Sequence, residues 1–302
     1  MKKDVVIIGS GPAGISAGIY AVRAGFDTLI IERTGMGGGQ VLNTYEVDNY
    51  PGLPGINGFD LGMKMQQHID GLGLKVMACD VEKVENLTEV KKLYTSQGEI
   101  ETKALVIATG ATHTKLNVKG ENELAGMGVS YCATCDGAFF QKRTVAVVGG
   151  GDVAVEDAIF LSGICEKVYL IHRRDELRAA KSLQDKLFAK NNVEIIWDTV
   201  VNSIEGNGMV ESLQLQNIKT QETRNLPVAG VFVAIGMQPE TECFKELVGM
   251  DEKGYIQADE NCETNIPGIV VAGDVRTKRV RQIVTAVADG ANAIYSLEKY
   301  LR

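Results

Sequence analysis

Apolar residues fall in short unbroken runs, each closed by a glycine turn. Residues 4–8, 28–31, 104–110, 144–148, 168–171, 230–236 and 268–272 are such runs. They read as strands buried on both faces, the pattern of a parallel sheet. Residues 15–24, 154–162 and 284–300 place small and apolar side chains at helical spacing, and 61–70 also reads as a helix. Shorter strands are expected at 74–77, 90–94 and 100–103. Strand, glycine turn and helix in that order, twice along the chain, predict an α/β protein built from two similar units.

The turns carry the first chemical signal. Gly9, Gly11 and Gly14, with Pro12 and Ala13 between them, form a GxGxxG turn between a strand and a helix. That context suits a dinucleotide: a tight turn, close backbone approach to pyrophosphate, and helix–strand packing. Glu32 ends the next strand, 18 positions after Gly14. An acidic group there accepts from a ribose 2′-hydroxyl and repels a 2′-phosphate, so FAD or NAD fits the first site and NADP does not. The second unit repeats the plan with Gly149, Gly151, Asp152, Val153 and Ala154. At the position of Glu32 it carries His172, Arg173 and Arg174, with Arg178 close behind. Arginine forks bind phosphate bidentately, which points to NADPH. Gly39 and Gln40, then Asp48 and Asn49, lie in a glycine-rich loop that reads either as plain turns or as backbone and amide contacts to a flavin. Ala108, Thr109 and Gly110 close the first unit, Ile235 and Gly236 close the second, and Gly273–Asp274 ends a further strand in the tail.

Between the two glycine turns lie Cys132 and Cys135, with Asp136 directly after them. Cysteines at this spacing can close and reopen a disulfide ring, and a neighbouring carboxyl can protonate a departing thiolate. A zinc site would need two more ligands, usually as a second close pair. Cys79, Cys165, Cys243 and Cys262 form no close pair, and the three histidines are scattered, so no metal is expected. The chain has 302 residues, enough for about two domains at ~150 each. Its net charge of −8 argues against a general nucleic-acid binder. No apolar run is long enough to span a membrane. The apolar run before Gly9 is too short for a signal peptide, so a reducing cytoplasm is the expected setting.

With these motifs in this order, the chain resembles the low-molecular-weight thioredoxin reductases over essentially its whole length. The resemblance implies two Rossmann-like, three-layer ββα domains, the second inserted into the first. Residues 1–114 and 241–302 would bind FAD, and 115–240 would bind NADPH and carry the cysteines. It implies a homodimer with thioredoxin as protein substrate. Carried over by position, Cys135 faces the flavin, Cys132 attacks the thioredoxin disulfide, and Asp136 is the acid. Arg281, Gln282 and Ile283 match the family's flavin-contacting segment.

Two expectations follow. The cysteine pair and the NADPH turn share one inserted domain, yet both must reach the flavin and Cys132 must also reach a protein outside. The inserted domain is therefore expected to rotate on its two crossings. Thioredoxin lies near about −270 mV, and every ~30 mV is worth ~1.4 kcal/mol, so reduced nicotinamide or ferredoxin could drive it and a quinol could not. The rival readings are a related flavin disulfide reductase (ferredoxin-driven, peroxiredoxin-linked or a dithiol oxidase) and a redox sensor without flux. Phe139 and Phe140 read as core, and the four remaining cysteines as buried small apolar residues. The basic stretch 276–281 reads equally as a solvated loop or as a positive surface for an acidic partner.

Overall fold

The computed structural model describes residues 1–44, 47, 49–87 and 90–302. Asp48, one of the loop residues named above, lies outside them. The chain opens with β1 (Lys2–Ile8), α1 (Pro12–Arg23) and β2 (Thr28–Glu32). Pro12 stands in the first turn of α1, where its missing N–H costs no hydrogen bond. A 3₁₀ turn over Gly39–Asn43 leads to α2 (Gly58–Gly71), which starts where the Asn57 side chain accepts from the Asp60 N–H. Then come β3 (Lys75–Ala78), β4 (Val81–Asn86), β5 (Lys91–Thr95), β6 (Gly98–Ile107) and β7 (Ala111–His113).

The middle of the chain forms β8 (Val129–Ser130), α3 (Ala133–Asp136), β9 (Thr144–Val148), α4 (Asp152–Ser162), β10 (Lys167–Ile171) and α5 (Lys181–Phe188). It continues with β11 (Val193–Ile196), β12 (Thr199–Glu205), β13 (Ser212–Asn217), β14 (Thr223–Pro227) and β15 (Gly230–Val233). The tail adds β16 (Met237–Pro239), β17 (Ile269–Val271) and α6 (Ile283–Leu301). Helix α4 begins two residues earlier than the apolar spacing predicts, because the turn already ends at Gly151, its N-cap. Among the described residues, no helix is long and apolar enough to cross a membrane.

Two compact units result: Met1–Thr112 with Gln238–Arg302, and His113–Met237. The sequence had placed the crossings after 114 and after 240. The crossing strands β7 and β16 pair with each other.

In the first unit, β3, β2, β1, β6 and β17 lie parallel in that order. Strand β6 is long enough to serve two partners on the edge away from β1. Its first half pairs with β5 in an antiparallel meander that continues to β4, and its last residues pair with β17. Alternate residues of β1 then serve two cores. Val5 and Ile7 pack with Ile30, Val106 and the faces of α1 and α6, while Val6 and Ile8 pack toward the meander with Val84, Leu93 and Ile100. The tail returns to this unit through α6. Its Gly290 lies so close to α1 that an added Cβ would stand 2.8 Å from the Ala17 nitrogen. The Ser16 hydroxyl donates to the Val287 carbonyl at 2.7 Å across the same contact.

In the second unit, β11, β10, β9, β15 and β8 form a wholly parallel sheet. Val145 and Val147 face α4 and α5, and Ala146 and Val148 face a three-stranded antiparallel sheet of β12, β13 and β14. Each unit is thus helices, parallel sheet and a smaller β layer, and each presents the C-terminal ends of its parallel strands as a rim.

Candidate active site

At the rim of the first unit, four strand ends converge. The Gly9–Gly14 turn leaves β1, Glu32 ends β2, Ala108–Gly110 leave β6, and Gly273–Asp274 leave β17. Gly9 has φ 103°, and a side chain there would run into the backbone of Ala108. Helix α1 has no side-chain cap, so its first N–H groups are open to an anion. Glu32 is held ready: Ser10 donates to its Oε2 from both the backbone N–H (2.9 Å) and the hydroxyl (2.7 Å). The Gln40 amide donates to the Ala111 carbonyl, and Gly39 approaches Gly11 closely. Asn49 donates to the Gln282 side chain at 2.9 Å, and Gln282 caps α6 beside Ile283. Asp274 keeps a buried Oδ1 with no hydrogen-bond partner among the described residues, and burial pushes its carboxyl up. An uncapped helix start, an acid at the ribose position and an orphaned buried oxygen fit the dinucleotide expected here.

A buried ion cluster braces this rim. Asp289 of α6 accepts from the Gly273 N–H (2.9 Å), from Arg276 through Nε (2.9 Å) and Nη2 (3.0 Å), and from Lys278 (2.7 Å). Burial pushes the Asp289 carboxyl up, but Arg276, Lys278 and the Gly273 N–H outweigh it and hold the carboxyl below its ordinary value. Breaking such a pair strands a buried charge, at about 3–5 kcal/mol. The stretch 276–281 is therefore neither a solvated loop nor a positive surface as a whole, since Arg276 and Lys278 are spent on Asp289. Arg281 lies 4.0 Å over the Tyr255 ring and donates to the carbonyls of Asp274 and Arg276.

In the second unit, the Gly149–Ala154 turn leaves β9, His172–Arg174 leave β10, and Ile235–Gly236 leave β15. Helix α4 likewise starts without a side-chain cap, with Val153 exposed, so a second pyrophosphate fits its N-terminus. Asp152 is turned to another task, accepting from the Ala180 N–H at 2.7 Å. Arg173, Arg174 and Arg178 are exposed and free to reach a phosphate. His172 differs from them. It is only 4% exposed, its Nε2 has no hydrogen-bond partner among the described residues, and a Cβ on Gly150 would stand 2.6 Å from that nitrogen. Burial, aided by the nearby arginines, pushes its pKa down. It supports the glycine turn as a neutral ring and adds no charge to the arginine group.

Strand β8 brings the cysteines to the same rim, since it lies beside β15 and Cys132 follows it by two residues. Cys132 and Cys135 are joined as a disulfide, with Cα atoms 5.3 Å apart. Ser130, which no sequence motif marked, organises the group. Its hydroxyl donates to Asp136 Oδ2 at 2.6 Å and accepts from the Cys132 N–H at 3.1 Å. Asp136 Oδ1 is buried without a hydrogen-bond partner among the described residues, and burial pushes this carboxyl above its ordinary value despite the Ser130 bond. With Oδ2 taken by the serine, Oδ1 is the oxygen left to carry a proton. The Thr134 hydroxyl lies 3.4 Å from the Cys132 sulfur. Phe140 is core, edge-on to Phe232, but Phe139 is 37% exposed and does not belong to it. Cys79, Cys165 and Cys262 are buried, and Cys243 is half-buried.

Because the folded state raises the Asp136 pKa, it favours the neutral form. Its stabilising share is full below the unfolded value of 3.8 and is lost as pH rises through the folded value. Asp136→Asn is therefore expected to gain thermal stability over the parent increasingly above pH ~4. Turnover in the same variant should drop by about 10²–10⁴-fold. Melting curves from pH 3 to 8 check the first point; a difference independent of pH would mean that Asp136 is not held neutral.

Two rims of dinucleotide type and a disulfide in one of them ask for a family that joins pyridine nucleotides to disulfides. The chain matches the pyridine nucleotide-disulphide oxidoreductase model over residues 3–290. It is 47% identical over 299 residues to a thioredoxin reductase of Listeria innocua, spanning 99% of this chain and 93% of that one. The solved thioredoxin reductase from Streptococcus pyogenes superposes with a TM-score of 0.95 at 45% identity, covering 99% of this chain and 98% of that one. That of Lactococcus lactis in its FR conformation gives 0.68 at 44% identity, with 99% of both chains covered. Matched almost from end to end and bearing the cysteine disulfide on its own rim, the chain belongs to the pyridine nucleotide-disulphide oxidoreductases.

Proposed function

We propose that the protein is a thioredoxin reductase, moving electrons from NADPH by way of FAD and the Cys132–Cys135 disulfide to oxidised thioredoxin. The observation that carries this reading is the disulfide on the same sheet rim as the second glycine turn, with a buried carboxyl one residue beyond it. FAD is assigned to the first unit, where Glu32 suits a ribose hydroxyl. NADPH is assigned to the second, where Arg173, Arg174 and Arg178 suit a 2′-phosphate. A donor without that phosphate, such as ferredoxin, would leave the three arginines without a task.

When bound, the two cofactors supply the electron pair that reduces the disulfide. The chain's own residues handle the sulfur and the proton. As the disulfide opens, Asp136 gives the proton on Oδ1 to a departing thiolate. Cys132, at the N-cap of α3, attacks one sulfur of oxidised thioredoxin; a mixed disulfide forms and the partner's other sulfur leaves as thiolate. Cys135 then attacks Cys132, which releases reduced thioredoxin and restores the ring. Ser130 keeps Asp136 in place throughout.

The disulfide and the NADPH turn both belong to the second unit, and the FAD rim belongs to the first. We therefore take the second unit to turn on its crossings, β7 and β16, between half-reactions. Solved relatives of nearly equal identity that superpose at 0.95 and 0.68 support this reading. Two copies of the chain are proposed to pair, as the resemblance to the low-molecular-weight thioredoxin reductases implies. The four free cysteines support a reducing cytoplasm.

The deciding assay is NADPH oxidation by the purified protein with oxidised thioredoxin. Turnover is expected, and Cys132→Ser and Cys135→Ser should each reduce it to background. Activity surviving in both variants would remove the disulfide from the pathway. A covalent lock between the units should stop turnover while sparing one half-reaction; full activity in the locked protein would exclude the rotation. Sedimentation velocity is expected to give twice the chain mass, and a monomer would overturn the pairing.

A further inference from the structure

The loop that follows β10 is held from two sides. On the side of the glycine turn, the Arg178 N–H donates to the Gly150 carbonyl at 2.7 Å, and Ala180 is tied to Asp152. On the other side the three-stranded sheet grips it. The Thr199 N–H donates to the His172 carbonyl (3.0 Å) and the Asp198 N–H to the Arg174 carbonyl (3.2 Å). Asp198 has φ 51°, and its carbonyl accepts from the Ile218 N–H at 2.7 Å, which fixes the turn between β13 and β14 against it. In that turn Asn217 Oδ1 accepts from the N–H groups of Lys219 (2.9 Å) and Thr220 (3.0 Å). Lys219 then reaches back. Its Nζ lies 2.9 Å from Asp175 Oδ2 and 3.0 Å from Asp198 Oδ1.

Asp175 directly follows Arg174 and is 71% exposed. Its carboxylate has the sign of the phosphate and would compete for the same guanidinium groups. From 172 to 180 the loop carries three arginines against two acids, Asp175 and Glu176. Asp198 adds a third acid beside them, and Lys219, shared between Asp175 and Asp198, brings the count to four cations against three acids; without it the count is three against three. Lys219 holds the Asp175 carboxyl below its ordinary value through their hydrogen bond. An ion pair this exposed does almost nothing for fold stability. Its effect is on the local field, which reaches about 8 Å at physiological salt.

We propose that Lys219 is a specificity-determining residue of the second nucleotide site: by neutralising Asp175 it lets the arginine loop present an uncompensated positive face to the 2′-phosphate of NADPH. This rests on the assignment of Arg173 and Arg174 to that phosphate. Lys219 does not touch the ligand in this scheme; it acts through Asp175, and a four-variant comparison separates that from a direct or merely structural role.

The experiment compares KM for NADPH and for NADH in the FAD-loaded protein at low ionic strength. The variants are Lys219→Met, Lys219→Arg, Asp175→Asn and the double Lys219→Met/Asp175→Asn, with Arg173→Ala/Arg174→Ala as control. Lys219→Met is expected to raise the NADPH KM about two- to fivefold and to leave the NADH KM unchanged. The effect should fade as salt is added. Lys219→Arg should behave as the parent, and the double variant should recover NADPH binding. Adenosine 2′,5′-bisphosphate, measured against AMP as competing inhibitors, should show the same split without turnover. An equal rise for both coenzymes, or no recovery in the double variant, would overturn the proposal. If the arginine control does not separate the coenzymes, the site assignment itself falls and takes Lys219 with it. If the control separates them and Lys219→Met does not, only the role of Lys219 falls.

Discussion

The first unit depends on the contact between α1 and α6. These helices stand near the two ends of the chain, and no local signal joins them. They meet because Gly290 lets the backbone of α6 come within van der Waals reach of Ala13 and Ala17, where a methyl group would collide with backbone atoms. Backbone does not yield as a flexible side chain does, and overpacking of this kind costs about 1–3 kcal/mol. With that contact made, Asp289 stands one residue before Gly290, facing the end of β17. The carboxylate then gathers Gly273, Arg276 and Lys278, and the rim that presents Asp274 and Arg281 is set.

Both nucleotide turns share a plan: an uncapped helix, a glycine too crowded for a side chain, and a charged group at the end of the next strand. The charge is tuned in opposite ways. In the first unit an acid is oriented by Ser10, whose two donors point Glu32 at the rim. In the second the cations are exposed, and the residue occupying the acid's place, His172, is pressed beneath Gly150 as an uncharged ring. One sheet architecture thus places opposite charges at corresponding strand ends, and the two ligand assignments proposed above rest on that difference.

The strands, the turns and the cysteine pair were legible in the sequence because each is a local pattern. A buried parallel strand needs an unbroken apolar run, a pyrophosphate turn needs glycines at fixed spacing, and a small disulfide ring needs two cysteines close in sequence. What stayed hidden depends on pairs that are distant in sequence or on direction. The basic stretch reads equally as a solvated loop or a positive surface because its counter-ion, Asp289, lies on a helix that begins after the stretch ends, and no spacing rule connects them. Phe139 and Phe140 are adjacent, yet one is core and the other exposed, since the 3₁₀ turn that holds them sends neighbours to different sides. Ser130 gave no signal because an isolated serine beside a strand end is common. Its importance lies in reaching two groups of the site at once.

The return of the tail also sets the order in which the molecule can be made. The second unit is one continuous segment, and its parallel sheet is complete once β15 has emerged. The first unit, begun earliest, stays open until α6 is synthesised, with β6 missing its β17 neighbour and α1 uncovered on one face. During synthesis at ~5–20 residues per second the interior segment can fold while its host waits. For tens of seconds the nascent chain therefore exposes the apolar face of α1 and the free edge of β6, so chaperone demand during synthesis falls on the host unit and not on the insert.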